Sequence, residues 1–265
     1  MERIERGGPV YYRFEQWPEA GALAHGVFTR QGGVSRAPFA SLNVGGTVGD
    51  DLAAVRENLR RIYAALSLDG ERACTVWQVH SADTVLATER TPGRHWLARA
   101  DGMITNRPGL PLTMRFADCV PLLFHDPVHR AVGIAHAGWR GTVGMVGVSV
   151  VRAMQAAFGT DPADLQVAIG PSIGPERYEV GSEVAAAVLK AFGEDGKGLL
   201  HYPNGGKAHL DLWAANRLAL ERVGVRQIEV AGLCTAAHVD DFFSHRAERG
   251  KTGRFCAVIA LREDG

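Results

Sequence analysis

Cysteine is scarce in this 265-residue chain: four residues, at 74, 119, 234 and 256, with no Cys-X-X-Cys spacing. That is too few and too scattered for a disulfide framework, and free thiols point to a reducing compartment. Net charge is missing as well, with 29 basic residues against 29 acidic ones. A balanced chain argues against a broad nucleic-acid footprint or a membrane-surface footprint. A small anionic substrate stays in play, since it needs only two or three local Arg or Lys. No run of about 18 apolar residues is present to span a bilayer, and no charged-then-apolar leader opens the chain. These absences predict a cytoplasmic protein with no membrane partner. Repeats, low-complexity tracts and linkers are lacking too, which predicts one domain over residues 1–265. What is present is 46% hydrophobic residues, enough for a sizeable core, and 32 glycines, many beside candidate site residues.

The stretch from Met114 to Thr142 organises the rest. It reads as an apolar strand, a turn at Asp126-Pro127-Val128-His129 and a second apolar strand. Pro127 suits the second position of a tight turn because its φ is fixed in advance. A turn centred between Pro127 and Val128 places Cys119 directly opposite His136. Opposed residues share a face, with Cβ atoms roughly 4.5–5.5 Å apart. One zinc ion, at about 2.3 Å from a thiolate and about 2.0 Å from an imidazole nitrogen, fits that separation. Thr142 then offers a cap for a helix from Val143 to Phe158, stopped at Gly159. Arg140 sits just before that helix, whose N-terminus would favour anions.

Along the rest of the chain, residues 1–20 read as an irregular lead-in. His25–Arg30 reads as a short strand running into Gly32-Gly33, followed by Ser41-Leu42-Asn43. Asp50 or Asp51 caps an amphipathic helix with Leu52, Val55, Leu59, Ile62 and Leu66 on one face. Thr75–His80 reads as a strand with Gln78 and His80 on the same face. Ser81-Ala82-Asp83 turns the chain into Thr84–Ala87, and another strand covers Ala100–Thr105. Further strands are expected at Leu165–Ile169, Gln227–Val230 and Phe255–Leu261, and further helices at Val184–Phe192 and Leu210–Val223. Strands and helices mix without a strict βαβ rhythm. The expected class is therefore α+β with mixed sheets.

His80, Cys119 and His136 make a three-ligand set, the pattern of catalytic rather than structural zinc. Arg140, Arg246, Lys251 and Arg254 are candidates to grip phosphate or carboxylate, which arginine does in bidentate fashion. Asp83 and Asp118 lie near the ligands, where an acid/base or orienting role suits them, though a turn role suits Asp83 equally. Phe242, Phe243 and Trp139 could stack on a flat ring or anchor the core. The segment Cys234–Arg254 is long, lacks a period and mixes aromatic with basic residues. It is expected to close over a bound substrate.

Several blocks resemble one family. They include His25–Arg30 with Gly32–Ser35, Ser41-Leu42-Asn43, Val48–Asp51, Gln78-Val79-His80 and Ala117–Pro121. His136–Thr142, Tyr178–Gly181, Phe242-Phe243-Ser244 and Thr252-Gly253-Arg254 continue the series. The family is the multicopper polyphenol oxidase (laccase-domain) or peptidoglycan editing factor family, read as zinc-dependent purine nucleoside phosphorylases and adenosine deaminases. The resemblance implies an α/β/β/α sandwich and metal ligation by His80, Cys119 and His136. It also implies phosphorolysis of adenosine, inosine, guanosine and methylthioadenosine, with purine nucleosides and phosphate as small-molecule partners. Catalytic roles are expected for Arg140, Asp118 and Asp83. Substrate contacts are expected from Gln78, Arg140, Arg246, Phe242, Phe243, Ser41 and Asn43. The family often carries a second arginine where this chain has Ala247, so only Arg246 is carried over.

Three other readings compete. A copper laccase needs His-X-His pairs, and none occurs among the ten histidines, although copper could load adventitiously. A hydrolase could use Cys119 as nucleophile and His136 as base. Editing of peptidoglycan precursors is the remaining reading.

Overall fold

The computed structural model describes residues 1–17, 21–89 and 96–263. Two sheets lie face to face with helices on both outer sides, the expected α/β/β/α sandwich. One sheet has five strands, in the order Glu2–Ile4, Tyr11–Arg13, Leu23–Phe28, Phe255–Leu261, Leu112–Phe116. The other has six, in the order Gln227–Val230, Gln166–Ile169, Val120–Asp126, Ala131–Ala137, Gly102–Thr105, Thr84–Leu86. Parallel and antiparallel pairings mix in the second sheet.

Strand alternation builds three cores. Along Phe255–Leu261, residues Phe255, Ala257 and Ile259 face the layer between the sheets, with Met114, Leu123, Val132 and Ile134. Cys256 and Val258 face the other way, toward Ile62 and Tyr63 of the helix Leu52–Ala65 and Leu66 just past its end. Leu122, Phe124 and Ala135 face the outer layer of helices Val146–Phe158, Ser182–Phe192 and Leu212–Arg222. His136 follows Val132 and Ile134 in the alternation, so it faces the layer between the sheets.

Four local expectations change. The first residues are not irregular, because Glu2–Ile4 pairs with Tyr11–Arg13 at the sheet edge; the end of the expected lead-in, 18–20, lies outside the described residues. Thr75–His80 forms no sheet strand: among the described residues this stretch of backbone pairs through isolated bridges, Cys74 with Leu112 and Trp77 with Arg99, and His80 at its end turns to φ +60°. The hairpin pairs Asp126 with Ala131 and Pro121 with His136, so its turn is centred one residue later than expected. The Asp126 carboxylate causes this: its Oδ1 accepts from the amides of Val128 and His129, both at 2.9 Å, which builds a four-residue loop. Finally, the helix expected from Val143 is broken. A short turn covers Trp139–Val143, and the long helix starts at Val146 after Met145, whose φ is +63°. Thr142 does not cap; its hydroxyl accepts from Asn216 Nδ2 at 3.0 Å.

Candidate metal centre and cleft

The register shift moves the chain by two residues, which preserves faces and changes distances. Cys119 therefore lies diagonal to His136, with Gly138 opposite it. A Cβ at Gly138 would come within 2.8 Å of the Cys119 Sγ and 3.2 Å of the His80 Cδ2. Glycine there leaves the sulfur room to reach the two histidines. The ligand atoms of His80, Cys119 and His136 all lie within 4.8 Å of one another. His80 and His136 have ring centroids 4.9 Å apart at 70°. His80 is exposed, Cys119 half-buried and His136 buried.

Asp101 organises this cluster. It is fully buried, and its Oδ1 lies 2.8 Å from His136 Nδ1. Its Oδ2 accepts from the amides of Val79 at 3.1 Å and Ser81 at 2.7 Å, the two residues that flank His80. His80 itself has φ +60°, an uncommon conformation for a residue with a side chain. One carboxylate thus fixes the tautomer of His136, leaving Nε2 for the site, and frames His80. Burial pushes the Asp101 carboxyl up, but His136 and the Ser81 and Val79 amides outweigh it and hold it below its usual range. Burial also opposes ionisation of Cys119, yet the neighbouring His136 and His80 bring its thiol down to about 6. Burial opposes the charged form of His136 too, and Cys119 with Asp101 raises it to about 9. A thiolate and two imidazoles, one fixed through Nδ1, form a suitable donor set for a single zinc or similar ion.

The cluster stands in a cleft of about 990 Å³. Four arginines line it: Arg56, Arg115, Arg246 and Arg254. Three of them donate to neutral oxygens. Arg115 donates to Val44 O at 2.9 Å and Thr75 Oγ1 at 2.9 Å. Arg246 donates to Glu179 O at 3.0 Å and lies over the Tyr178 ring, 5.2 Å from its centroid. Arg254 donates to Thr252 O at 3.1 Å and Gly253 O at 2.8 Å. Elsewhere, Arg30 is in contact with the Glu248 carboxylate at 3.1 Å and Arg222 with Asp195 at 2.5 Å. Trp77 and Trp96 line the cleft as an edge-to-face pair with centroids 4.4 Å apart; they remain 38% and 44% exposed. Burial raises the Tyr178 hydroxyl well above its ordinary value.

Residues 24–262 match the family model described as "Multi-copper polyphenol oxidoreductase laccase". The chain belongs to this laccase family. It is 42% identical over 255 residues to the purine nucleoside phosphorylase YlmD of Geobacillus stearothermophilus, covering 93% of each chain. It is 41% identical to the purine nucleoside phosphorylase of Deinococcus radiodurans, covering 92% of each. The crystal structure of YlmD from Geobacillus stearothermophilus superposes with a TM-score of 0.91 at 38% identity, covering 98% of both chains.

In this member of the laccase family the donor residues fit one ion rather than a multicopper cluster. Among the described residues the one set of three or more His, Cys or carboxylate groups placed to hold a metal is His80, Cys119 and His136. Of the other expected site residues, Arg246 and Asp118 line the cleft. Asp118 acts there as a brace: Oδ1 accepts from Thr235 Oγ1 and Oδ2 from the Arg246 amide, both at 2.7 Å. Each of its oxygens already accepts one hydrogen bond, so Asp118 also positions the loop that carries Arg246. Gln78 lines the cleft, but its amide is paired with the Arg115 backbone at 2.8 and 3.0 Å.

The rest lie elsewhere. Asp83 is exposed and is not part of the cleft lining; its carbonyl serves the turn, accepting from Asp101 and Gly102. Arg140 is exposed, sits over Trp139 at 4.3 Å and stays outside the lining, although its charge reaches Tyr178 at the rim. Ser41 serves the loop, bonded to Arg30 O and Gly33 N. Asn43 is buried and ties Gly45 to Arg254. Phe242 and Phe243 are both 0% exposed in the core between the sheets, against Phe255 and Arg30. The segment Cys234–Arg254 is therefore pinned by its aromatics rather than free to bring them onto a substrate, and only His245, Arg246 and Arg254 of it reach the cleft. Sequence reasoning missed Asp101, Gly138, Arg115, Tyr178 and the two tryptophans. A lone acidic residue entering an apolar strand, as Asp101 does, was a usable signal for a buried carboxylate.

Proposed function

We propose that this protein is a zinc-dependent purine nucleoside phosphorylase that also deaminates adenosine. The observation that carries the reading is the His80–Cys119–His136 set opening into a cleft three of whose arginines bond to neutral oxygens. The family relatives named purine nucleoside phosphorylase support it. His80, Cys119 and His136 would hold the ion, and when bound it supplies a Lewis acid beside the substrate. In phosphorolysis a phosphate oxygen forms a bond to the ribose C1′ and the C1′–N9 bond breaks. The electron pair leaves with the purine, which takes up a proton. The cleft arginines bind and orient the phosphate as a planar fork grips an oxyanion. Trp77 and Trp96 offer ring surface to a purine, and the exposed edges of the pair suit stacking better than core packing.

The test is elemental analysis of protein purified without added metal, combined with assays on inosine, guanosine, adenosine and methylthioadenosine with and without phosphate. Phosphate-dependent release of free base with one zinc per chain supports the reading. Full metal content in a Cys119→Ala, His136→Ala double variant, or no phosphate dependence, overturns it. Deamination is followed separately as inosine formed from adenosine without phosphate.

The Cys119–His136–Asp101 arrangement favours one second reading, a cysteine hydrolase, because a lowered thiol beside an imidazole backed by a carboxylate is a nucleophile geometry. His80 decides between them: a metal reading uses it and a hydrolase does not. A His80→Ala variant with intact hydrolytic turnover and no metal supports the hydrolase.

A further inference from the structure

We infer that Arg254 is the guanidinium that holds inorganic phosphate beside the metal ligands, in a seat built by Asn43, Gly45 and Gly253. The choice of phosphate among oxyanions rests on the phosphorylase reading above; the seat itself rests on geometry. Arg254 lines the cleft together with His80, Cys119 and His136. Its backbone amide donates to Asn43 Oδ1 at 2.7 Å, and the same oxygen accepts from the Gly45 amide at 2.8 Å. Asn43 is 0% exposed, so one buried carboxamide locks together the two loops that flank the arginine.

Both glycines are there for close approach. A Cβ at Gly45 would stand 2.8 Å from Arg254 Cγ. One at Gly253 would stand 2.9 Å from Asn43 Oδ1 and 2.8 Å from Phe243 Cζ. The guanidinium is splinted on one side only, Nη1 donating to the carbonyls of Thr252 and Gly253. Arginine has five N–H donors in a rigid fork, and the Nε–Nη2 edge is the one that meets an oxyanion side-on. Among the described residues that edge donates to no protein acceptor. Burial lowers the proton affinity of Arg254, and the charges of Cys119 and Asp118 offset part of this. Arg246, with its amide on Asp118 and its guanidinium on Glu179 O, lines the same cleft and can close on the anion from the second side.

This assignment displaces Arg140, which is exposed and lies over Trp139 outside the cleft lining. It also gives Asn43, Gly45 and Gly253 a common purpose that a direct substrate contact by Asn43 would not explain.

The experiment uses the full chain in its metal-loaded form, with inorganic phosphate as the probe. Phosphate binding is measured by calorimetry for wild type, R254Q, R254K and R140Q. In parallel, wild type is treated with phenylglyoxal with and without phosphate, and modified arginines are mapped by peptide mass. The expected results are a roughly 10- to 100-fold weaker phosphate affinity in R254Q, a smaller loss in R254K and no change in R140Q. Phosphate should protect Arg254 but not Arg140 from phenylglyoxal, a readout that needs no variant to fold. In steady state, R254Q should raise the KM for phosphate and leave the KM for inosine within about threefold. The assignment is overturned if wild type binds no phosphate, if Arg254 is modified at the same rate with and without phosphate, or if R140Q rather than R254Q loses affinity. Phosphate binding with Arg254 protection but no phosphorolysis of any purine nucleoside leaves the anion seat standing and refutes the phosphorylase reading instead.

Discussion

The substitution Asp101→Asn tests how the candidate metal ligands are held. The carboxylate faces His136 Nδ1 at 2.8 Å with one oxygen, and the Val79 and Ser81 amides at 3.1 and 2.7 Å with the other. An asparagine has one oxygen and one NH2 to offer. If the oxygen stays on the two amides, the NH2 faces His136 Nδ1, which must become an acceptor. Its proton then moves to Nε2, the atom that faces the site. If the amide flips, two backbone donors face an NH2, at about 1–3 kcal/mol for each unsatisfied donor. The first arrangement wins, so the expected lesion is a wrong histidine tautomer. Loss of such an orienting partner typically lowers metal affinity about 10- to 100-fold, or roughly 1.4–2.8 kcal/mol. The metal-free protein should lose about 1–3 kcal/mol from weaker, uncharged hydrogen bonds. Zinc affinity is measured by competition with a chromophoric chelator, and stability by thermal melts of the stripped protein. A folded D101N variant that binds zinc within about twofold of wild type would refute the tautomer argument.

Four further outcomes follow from the same geometry. In metal-stripped protein, iodoacetamide should alkylate Cys119 with a midpoint near the thiol's value of about 6, the thiolate fraction rising with pH, and zinc should block the reaction; a midpoint near the ordinary value of about 8.5 would contradict the pairing with His136 and His80. Gly138→Ala puts a methyl 2.8 Å from the Cys119 sulfur, so it should weaken metal binding while the melting temperature of the stripped protein changes little. Phe243→Ala removes a fully buried ring and should cost about 3–5 kcal/mol of stability, read as a lower melting temperature; an unchanged melt with a raised nucleoside KM would restore a substrate role for Phe243. Trp96→Ala should raise the nucleoside KM roughly five- to hundredfold, the range of about 1–3 kcal/mol for one stacked base, with phosphate affinity and stability unaltered.

The candidate metal set was legible in the sequence because ligand chemistry narrows the choice: His80 before a turn, Cys119 and His136 on facing strands. The facing placement holds, but the pairing differs. The expected register placed Cys119 directly opposite His136, whereas the hairpin places Gly138 there. A shift by two residues keeps side chains on the same face, so the shared face survived a wrong turn centre. The turn was misjudged because Asp126 folds its carboxylate onto two following amides, a local hydrogen bond that Pro127 alone does not reveal. Asp101 stayed hidden because its partners, His136, Val79 and Ser81, come from distant parts of the chain. Phe242 and Phe243 looked like ligand contacts because they sit in an aperiodic basic segment; burial, which no local pattern there encodes, makes them anchors. Arg140 was drawn to a helix N-terminus that the left-handed Met145 interrupts.

Two of the three ligand segments carry a left-handed residue with a side chain, His80 at φ +60° and Asp118 at φ +83° next to Cys119. Such residues typically store on the order of 1–3 kcal/mol each and persist where surrounding bonds over-determine them. Here the surrounding bonds are visible. Asp101 brackets His80 through the amides on either side of it, and Asp118 is held by Thr235, by the Arg246 amide and, through its own carbonyl, by the Ile173 amide at 2.9 Å. A buried acid thus braces each strained turn, and each acid ties a candidate metal ligand to a second element of the cleft. Asp101 joins His80 to His136, and Asp118 joins Cys119 to the loop that presents Arg246. At Asp118 the candidate ligand segment and the Arg246 side of the cleft are therefore braced by the same carboxylate. A change at Asp118 should disturb metal affinity and the Arg246 side of anion binding together, a change at Asp101 metal affinity alone, and a change at Arg254, seated separately on Asn43, anion affinity alone.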